Sequence, residues 1–400
     1  LAEGELLALG RLRSIGQDLI IQGNASLRDL TSLRSLTSIG GSLTLSDNGA
    51  LASVSGLEHV PKIDDVSIAN NPRLTNLDGL AGLSGGAGKL DIQGNDALVS
   101  LRGLRGLSTA SGLSLSSNAA LGDLRGLEGL EKVDGDVALD YNSALSTLAG
   151  LDGVHSIYLL RIHVNPKLTD VSGLLGLTEL THLEMSDNDR LQNIDGLAGL
   201  TSLDTAILEH FPLASIKGFS QLESAKRLVF NGLKLTSLSP LAGLTQVSSL
   251  EISDCPIKNL SGLGQARIRQ LLLQTNSELE SLAGLSADSH DIQQLEITNS
   301  PKLKDLSGLE PLHSVSQQLV LNDNKALTKL DGLDNLQSVG DLFVESHPAL
   351  SDMAALANLA TISGRAAFTQ NPKLSNCSIQ QLVTRCGATD AQLEQNGPCN

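Results

Sequence analysis

Residues 66–80 read VSIANNPRLTNLDGL, and this stretch decides the fold. Val66 and Ile68 alternate with the small residues Ser67 and Ala69, Asn71 follows, and Leu74, Leu77 and Leu80 then recur every third place around Gly79. Outward from it the same pattern, L-x-[IL]-x-x-N-x-x-L-x-x-L-x-G-L-x-x-L-x-x-[IV], is written sixteen times. It starts at Leu19, Leu43, Val66, Leu90, Leu113, Val137, Leu160, Leu183, Ala206, Leu228, Leu250, Leu271, Leu295, Leu319, Leu342 and Ala366, with starts 21 to 24 residues apart. A unit this short cannot close a core alone, so neighbours must stack into a solenoid.

Each repeat builds one coil. Apolar positions 1 and 3 around a variable position 2, as in Leu43-Thr44-Leu45, predict a strand with one buried face. Stacked coils set these strands side by side in a parallel sheet. Positions 9, 12, 15, 18 and 21 turn the chain back around the core. Twelve of fifteen full repeats carry glycine at or beside position 14, from Gly56 to Gly332, which favours short turns over full helices. Position 6 is asparagine in eleven coils, among them Asn24, Asn71, Asn142 and Asn371. A stack of primary amides can satisfy turn backbone from coil to coil, which makes these residues structural.

The pattern has three irregular places. Coils starting at 206, 228 and 250 are shortened and carry Phe211, Leu233 and Cys255 instead of asparagine, suggesting a change of curvature. Residues 1–18 read as a partial N-terminal repeat, since Leu12 and Ile15 fit the back half of a coil. A chain starting at Leu1 reads as a mature or trimmed product. Residues 19–365 form the solenoid; 366–400 supply a last strand and a cysteine-containing cap. After Asn371 the repeat stops, and Ser378–Arg385 reads as a short amphipathic helix with Ile379 and Leu382 on the last coil. Although 400 residues would suit two or three globular domains, the unbroken repeat argues for one elongated domain.

Composition narrows the function. A net charge of −16 argues against nucleic acid or an anionic membrane as partner. It serves the solubility of a long surface, with a cationic partner as the alternative. No apolar run is long enough to span a bilayer. Cys377, Cys386 and Cys399 crowd the end, which suits a disulfide-closed cap in an oxidising compartment; reduced, buried thiols are the alternative, and the spacing fits no common zinc pattern.

Written as L-x-x-L-x-[IL]-x-x-N, the coils resemble leucine-rich repeats. NNPRLTNLDGL at 70–80 looks like the receptor L-domain-like variety of bacterial surface proteins, and LKLTSLSPLAGLTQVSSLEIS at 233–253 is closer to internalin-type repeats. The resemblance, over residues 12–376, implies a curved, right-handed leucine-rich-repeat solenoid with few helices. It favours a Cys377–Cys399 pair, with Cys386 outside the simple two-cysteine picture. It also implies non-catalytic recognition of a protein or glycan at a bacterial cell surface, or by a secreted protein, without a cofactor.

Strand positions 2, 4 and 5 should face outward. They are small near the N-terminus and richer from the sixth coil: Asp140, Tyr141, Arg161, His163, Glu184, Glu209 and His210. Tyr141 and the two histidines suit recognition best, because aromatic and amphipathic side chains bind at low entropic cost. Phe343, Glu345 and His347 form a second candidate patch. The bland reading pairs Arg161 with Glu184 as a cross-strand ion pair. His163 and His210 lie two coils apart, roughly 10 Å, too far to chelate one metal ion. A carbohydrate-active enzyme is the runner-up, with Asp140, Glu184 and Glu209 as acids, but no catalytic motif is present. A surface-layer or spacer role is the third reading. Ice binding would need regular Thr or Ser files, which position 4 lacks.

Overall fold

The computed structural model describes residues 9–286 and 290–399. The chain forms two compact units, Leu1–Leu200 with His210–Pro212, and Thr201–Glu209 with Leu213–Asn400. In the first, the sheet runs through Leu19–Gln22, Leu43–Ser46, Val66–Ala69, Gly85–Gln93, Leu107–Ser116, Lys132–Asp140, Ser156–His163 and Glu179–Ser186. Every strand pairs in parallel with the next, position 1 on position 1: Leu19 beside Leu43, Val66 beside Leu90, Leu160 beside Leu183. A slip by one residue would turn the inward leucines to solvent, so the apolar pattern sets the register. The second unit repeats the arrangement from Ser202–Glu209 to Ser338–Glu345 and Arg365–Thr369. From the fourth repeat the strands are longer than the alternation suggests, beginning upstream of position 1 at Gly85, Leu107, Lys132, Ser156 and Glu179.

Leucines and isoleucines at positions 1, 3, 9, 12, 15 and 18 fill the core of each unit, nearly all without exposure. Behind the sheet the coils return by two kinds of turn. Gly79, Gly103, Gly173 and Gly196 sit in 3-10 turns, whereas Gly56, Gly126, Gly150, Gly308 and Gly332 take φ between +107° and +118°. An acid two residues later accompanies these five left-handed turns, although Gly262 takes φ +117° with only Gly264 at that place. Glu58, Glu128, Asp152, Glu310 and Asp334 each accept the N–H of the glycine two places before, holding the left-handed turn. Ala81, Arg105, Leu175 and Ala198 offer no acceptor there, and the 3-10 turn forms. Both kinds bring the glycine so close to the previous coil's carbonyl that a Cβ would overlap it, as Gly103 would with Leu77 and Gly126 with Leu101.

The asparagines form the expected ladder. Asn48 Nδ2 donates to the Ile21 carbonyl at 2.9 Å, and its backbone N–H donates to Asn71 Oδ1 at 3.1 Å. The same two bonds recur at Asn71, Asn95, Asn118, Asn142 and Asn165. Thus each asparagine ties three coils together, its side chain to the coil before and its backbone N–H to the coil after. Phe211 and Leu233 fill the same site with buried hydrocarbon. Cys255 imitates the amide instead: its N–H donates to Asn276 Oδ1, and its thiol faces the Phe230 and Ser253 carbonyls at 3.6 and 3.3 Å. Burial pushes that thiol up to about 11, which keeps the proton it needs to donate.

The helix runs over Asn376–Cys386 and buries Ile379, Leu382, Val383 and Cys386. It ends where Gly387 takes φ +73°. Cys377 and Cys399 are bonded, their Cα atoms 5.1 Å apart, while the Cys386 thiol donates to the Leu359 carbonyl at 3.0 Å. One expectation is corrected: the repeat does not stop at Asn371. After the helix, Asp390–Glu394 pairs in parallel with Arg365–Thr369. Asn396 continues the ladder, accepting the Asn371 N–H at 3.3 Å and donating to Phe368 at 2.6 Å. A helix of eleven residues had interrupted the spacing that makes the repeat visible.

Candidate functional site

In the first unit, the strands Lys132–Asp140, Ser156–His163 and Glu179–Ser186 bring four candidates to one sheet face. Asp140 stands beside His163, and Arg161 beside Glu184, in the parallel register. Asp140 is only 6% exposed. Arg161 donates to its Oδ2 twice, from Nε at 2.9 Å and Nη2 at 2.6 Å. That bond pushes the Arg161 guanidinium further above its ordinary range. The expected pairing of Arg161 with Glu184 is therefore corrected. Asp140 is nearly dehydrated and needs a counter-charge, whereas half-buried Glu184 keeps water as its solvent. Asp140 Oδ1 is buried and has no hydrogen-bond partner among the described residues.

Tyr141, 61% exposed, stands at the end of its strand with φ +59°. Position 5 takes a left-handed conformation in every repeat, from Gly23 and Asp47 to Ser346 and Gln370. Glycine, asparagine and aspartate account for many of these residues and are the signal from which the conformation could have been read. Sequence reasoning also missed Tyr158 and His182, because it began each strand at position 1. Tyr158 is 51% exposed, and its ring meets His182 edge-on, centroids 5.2 Å apart. Both tyrosines of the chain thus lie on the adjacent strands of repeats six and seven.

The other candidates do not all join this face. His210 belongs to the first unit and is exposed at φ +58°. Glu209 belongs to the second unit, where Asn231 Nδ2 lies 3.5 Å from its Oε1. In the same unit Arg227 grips Glu251 with two bonds of 2.8 and 3.2 Å. Phe343 lies beneath Arg365, whose guanidinium carbon is 5.5 Å from the ring centre, and Glu345 stands two residues further along that strand. His347 is corrected: it is 0% exposed and occupies a ladder position instead of joining a surface patch. Its N–H donates to Asn371 Oδ1 at 3.1 Å, and its Nε2 lies 3.4 Å from Asn324 Nδ2. Burial pushes its imidazole down to about 4, so it is neutral. No cluster of three metal-binding side chains occurs among the described residues, and no helix there is long and apolar enough to cross a membrane.

One strand per repeat, a leucine core and an amide ladder define a leucine-rich-repeat solenoid. No family model and no curated protein matches the sequence. Among solved structures, an internalin from Listeria monocytogenes is 19% identical over all of this chain and 85% of its own, with a TM-score of 0.38. A leucine-rich-repeat protein of Leptospira interrogans is 18% identical over 96% of this chain and 98% of its own, TM-score 0.35. Another, from Bacteroides thetaiotaomicron, is 12% identical over 92% of this chain and 51% of its own, TM-score 0.40. The fold assignment stands on the chain's own ladder, and these likenesses add nothing to it on ligand or activity.

Proposed function

We propose that this protein is a non-catalytic recognition module acting at a cell surface or after secretion. The face carrying Tyr141, Arg161, His163 and Glu184 binds a protein or glycan, and Phe343 with Glu345 forms a secondary contact. One observation carries the reading: Tyr141 is a bulky, exposed aromatic held where the backbone favours glycine or asparagine. A left-handed backbone costs such a residue about 1 kcal/mol, and strain of this kind collects at functional positions. The Cys377–Cys399 bond supports an oxidising destination.

The test is a panel of surface proteins and glycans presented to the intact chain, beside a folded Tyr141→Ala/His163→Ala variant. Binding lost in the variant supports recognition through this face. Binding retained there but lost in Phe343→Ala/Glu345→Ala would move the site to the second unit. No binding at all would sink the reading.

A further inference from the structure

We propose that the face of repeats six to eight takes a cationic polypeptide segment, its lysine or arginine side chains held between Tyr141, Tyr158, Asp136 and Glu184. This rests on the recognition reading and names the chemistry of the partner. Four observations lead to it.

First, the aromatic side chains lie at opposite ends of one strand pair. Tyr141 follows Asp140, the register partner of His163, so it stands six residues along from Tyr158. At about 3.3 Å per residue the two rings are roughly 20 Å apart, a span that an extended segment of about seven residues covers. Second, the charges between them are unbalanced. Asp136 is exposed beside Leu159, and Glu184 is half-buried beside Arg161. Glu179 and Asp187 are exposed on the neighbouring strand and its end. None of these four carboxylates is ion-paired among the described residues, whereas Arg161 is held by Asp140 and Lys132 by Asp134 at 2.6 Å.

Third, Arg161 is already held by the buried carboxylate of Asp140 through bonds of 2.9 and 2.6 Å, so the guanidinium on this face is neutralised and leaves the outer carboxylates without a counter-charge. Fourth, an exposed tyrosine face attracts a guanidinium or ammonium through its π-system. An anionic partner would meet the unpaired carboxylates, and an uncharged glycan would leave them unused.

The experiment uses the fact that the chain has two tyrosines and no tryptophan. Tyrosine emission therefore reports on this face alone. The intact protein is titrated with hexa-arginine, hexaglutamate and maltohexaose at low salt. A saturable change with hexa-arginine only, weakening as salt rises, is expected. Asp136→Asn/Glu184→Gln should weaken it at least tenfold without altering the melting curve. Glu280→Gln/Asp390→Asn, which removes two exposed carboxylates of the second unit, should leave it unchanged. No saturable response to hexa-arginine overturns the proposal. So does equal weakening in both double variants, which would reduce the effect to the net charge of −16. If hexa-arginine is silent while a panel ligand is lost on Tyr141→Ala/His163→Ala, the cationic class falls and the recognition reading stands.

Discussion

Position 5 shows how unequal the repeats are at the level of single residues. Its left-handed backbone costs nothing at Gly23 or Gly94 and little at Asn70 or Asp187. Val164 and Tyr141 bear the full cost, and Val164 is β-branched as well. Val164→Asn should therefore stabilise the protein by about 1 kcal/mol, read as a shift in urea midpoint at unchanged m. Tyr141→Asn should stabilise it by a similar amount and weaken ligand binding. Were Tyr141→Asn neutral in stability, the strain that marks this residue would not exist. The buried positions were legible in the sequence because a leucine can serve only the core at that spacing. The Asp140–Arg161 bond was not, because the guanidinium reaches back one strand and forward two residues, and no periodicity encodes such a diagonal.

At the level of the element, the turns and the ladder each turn on one side chain. In repeat five, Gly126 combines φ +114° with a carbonyl where its Cβ would be, and Glu128 accepts its N–H at 2.8 Å. Gly126→Ala should cost about 3 kcal/mol or more. Glu128→Ala should cost about 1 kcal/mol, since water can replace the lost acceptor. Equal losses in chemical melts would show that the carboxylate, and not the close approach, governs the turn. At these five turns the acid stands in the sequence at position 16, yet a search for apolar spacing passes over an exposed acid. His347 makes a pH-dependent rung. Its folded pKa of about 4 lies below the ordinary 6.5, so the unfolded chain binds more protons between those values. Stability therefore falls as pH drops from 6.5 towards 4, by up to about 3 kcal/mol at this residue. His347→Asn should restore an amide to the ladder and flatten that part of the stability curve. An unchanged slope would place the acid sensitivity elsewhere.

Across the whole molecule, the solenoid character predicts that damage stays local. Repeats contact mainly their neighbours, so stability is close to a sum of coils and interfaces. The Cys377–Cys399 bond closes a 22-residue separation and ties the helix to the stretch after the last strand. A bond closing such a loop contributes about 3 kcal/mol. The resemblance implied this pair, but the strand at Asp390–Glu394 and the rung at Asn396 were hidden behind the intervening helix. Reduction should therefore free more than a helix: it should loosen that strand, then expose Arg365–Thr369. Hydrogen exchange measured before and after reduction should show protection lost from residues 365 to 399. Lys132–Asp140 and Glu179–Ser186, in the other unit, should keep theirs, and hexa-arginine binding should persist. Protection lost evenly along the chain would mean that the coils melt as one cooperative body. The cap would then stabilise the recognition face directly, and binding at Tyr141 would depend on the redox state of cysteines more than two hundred residues away.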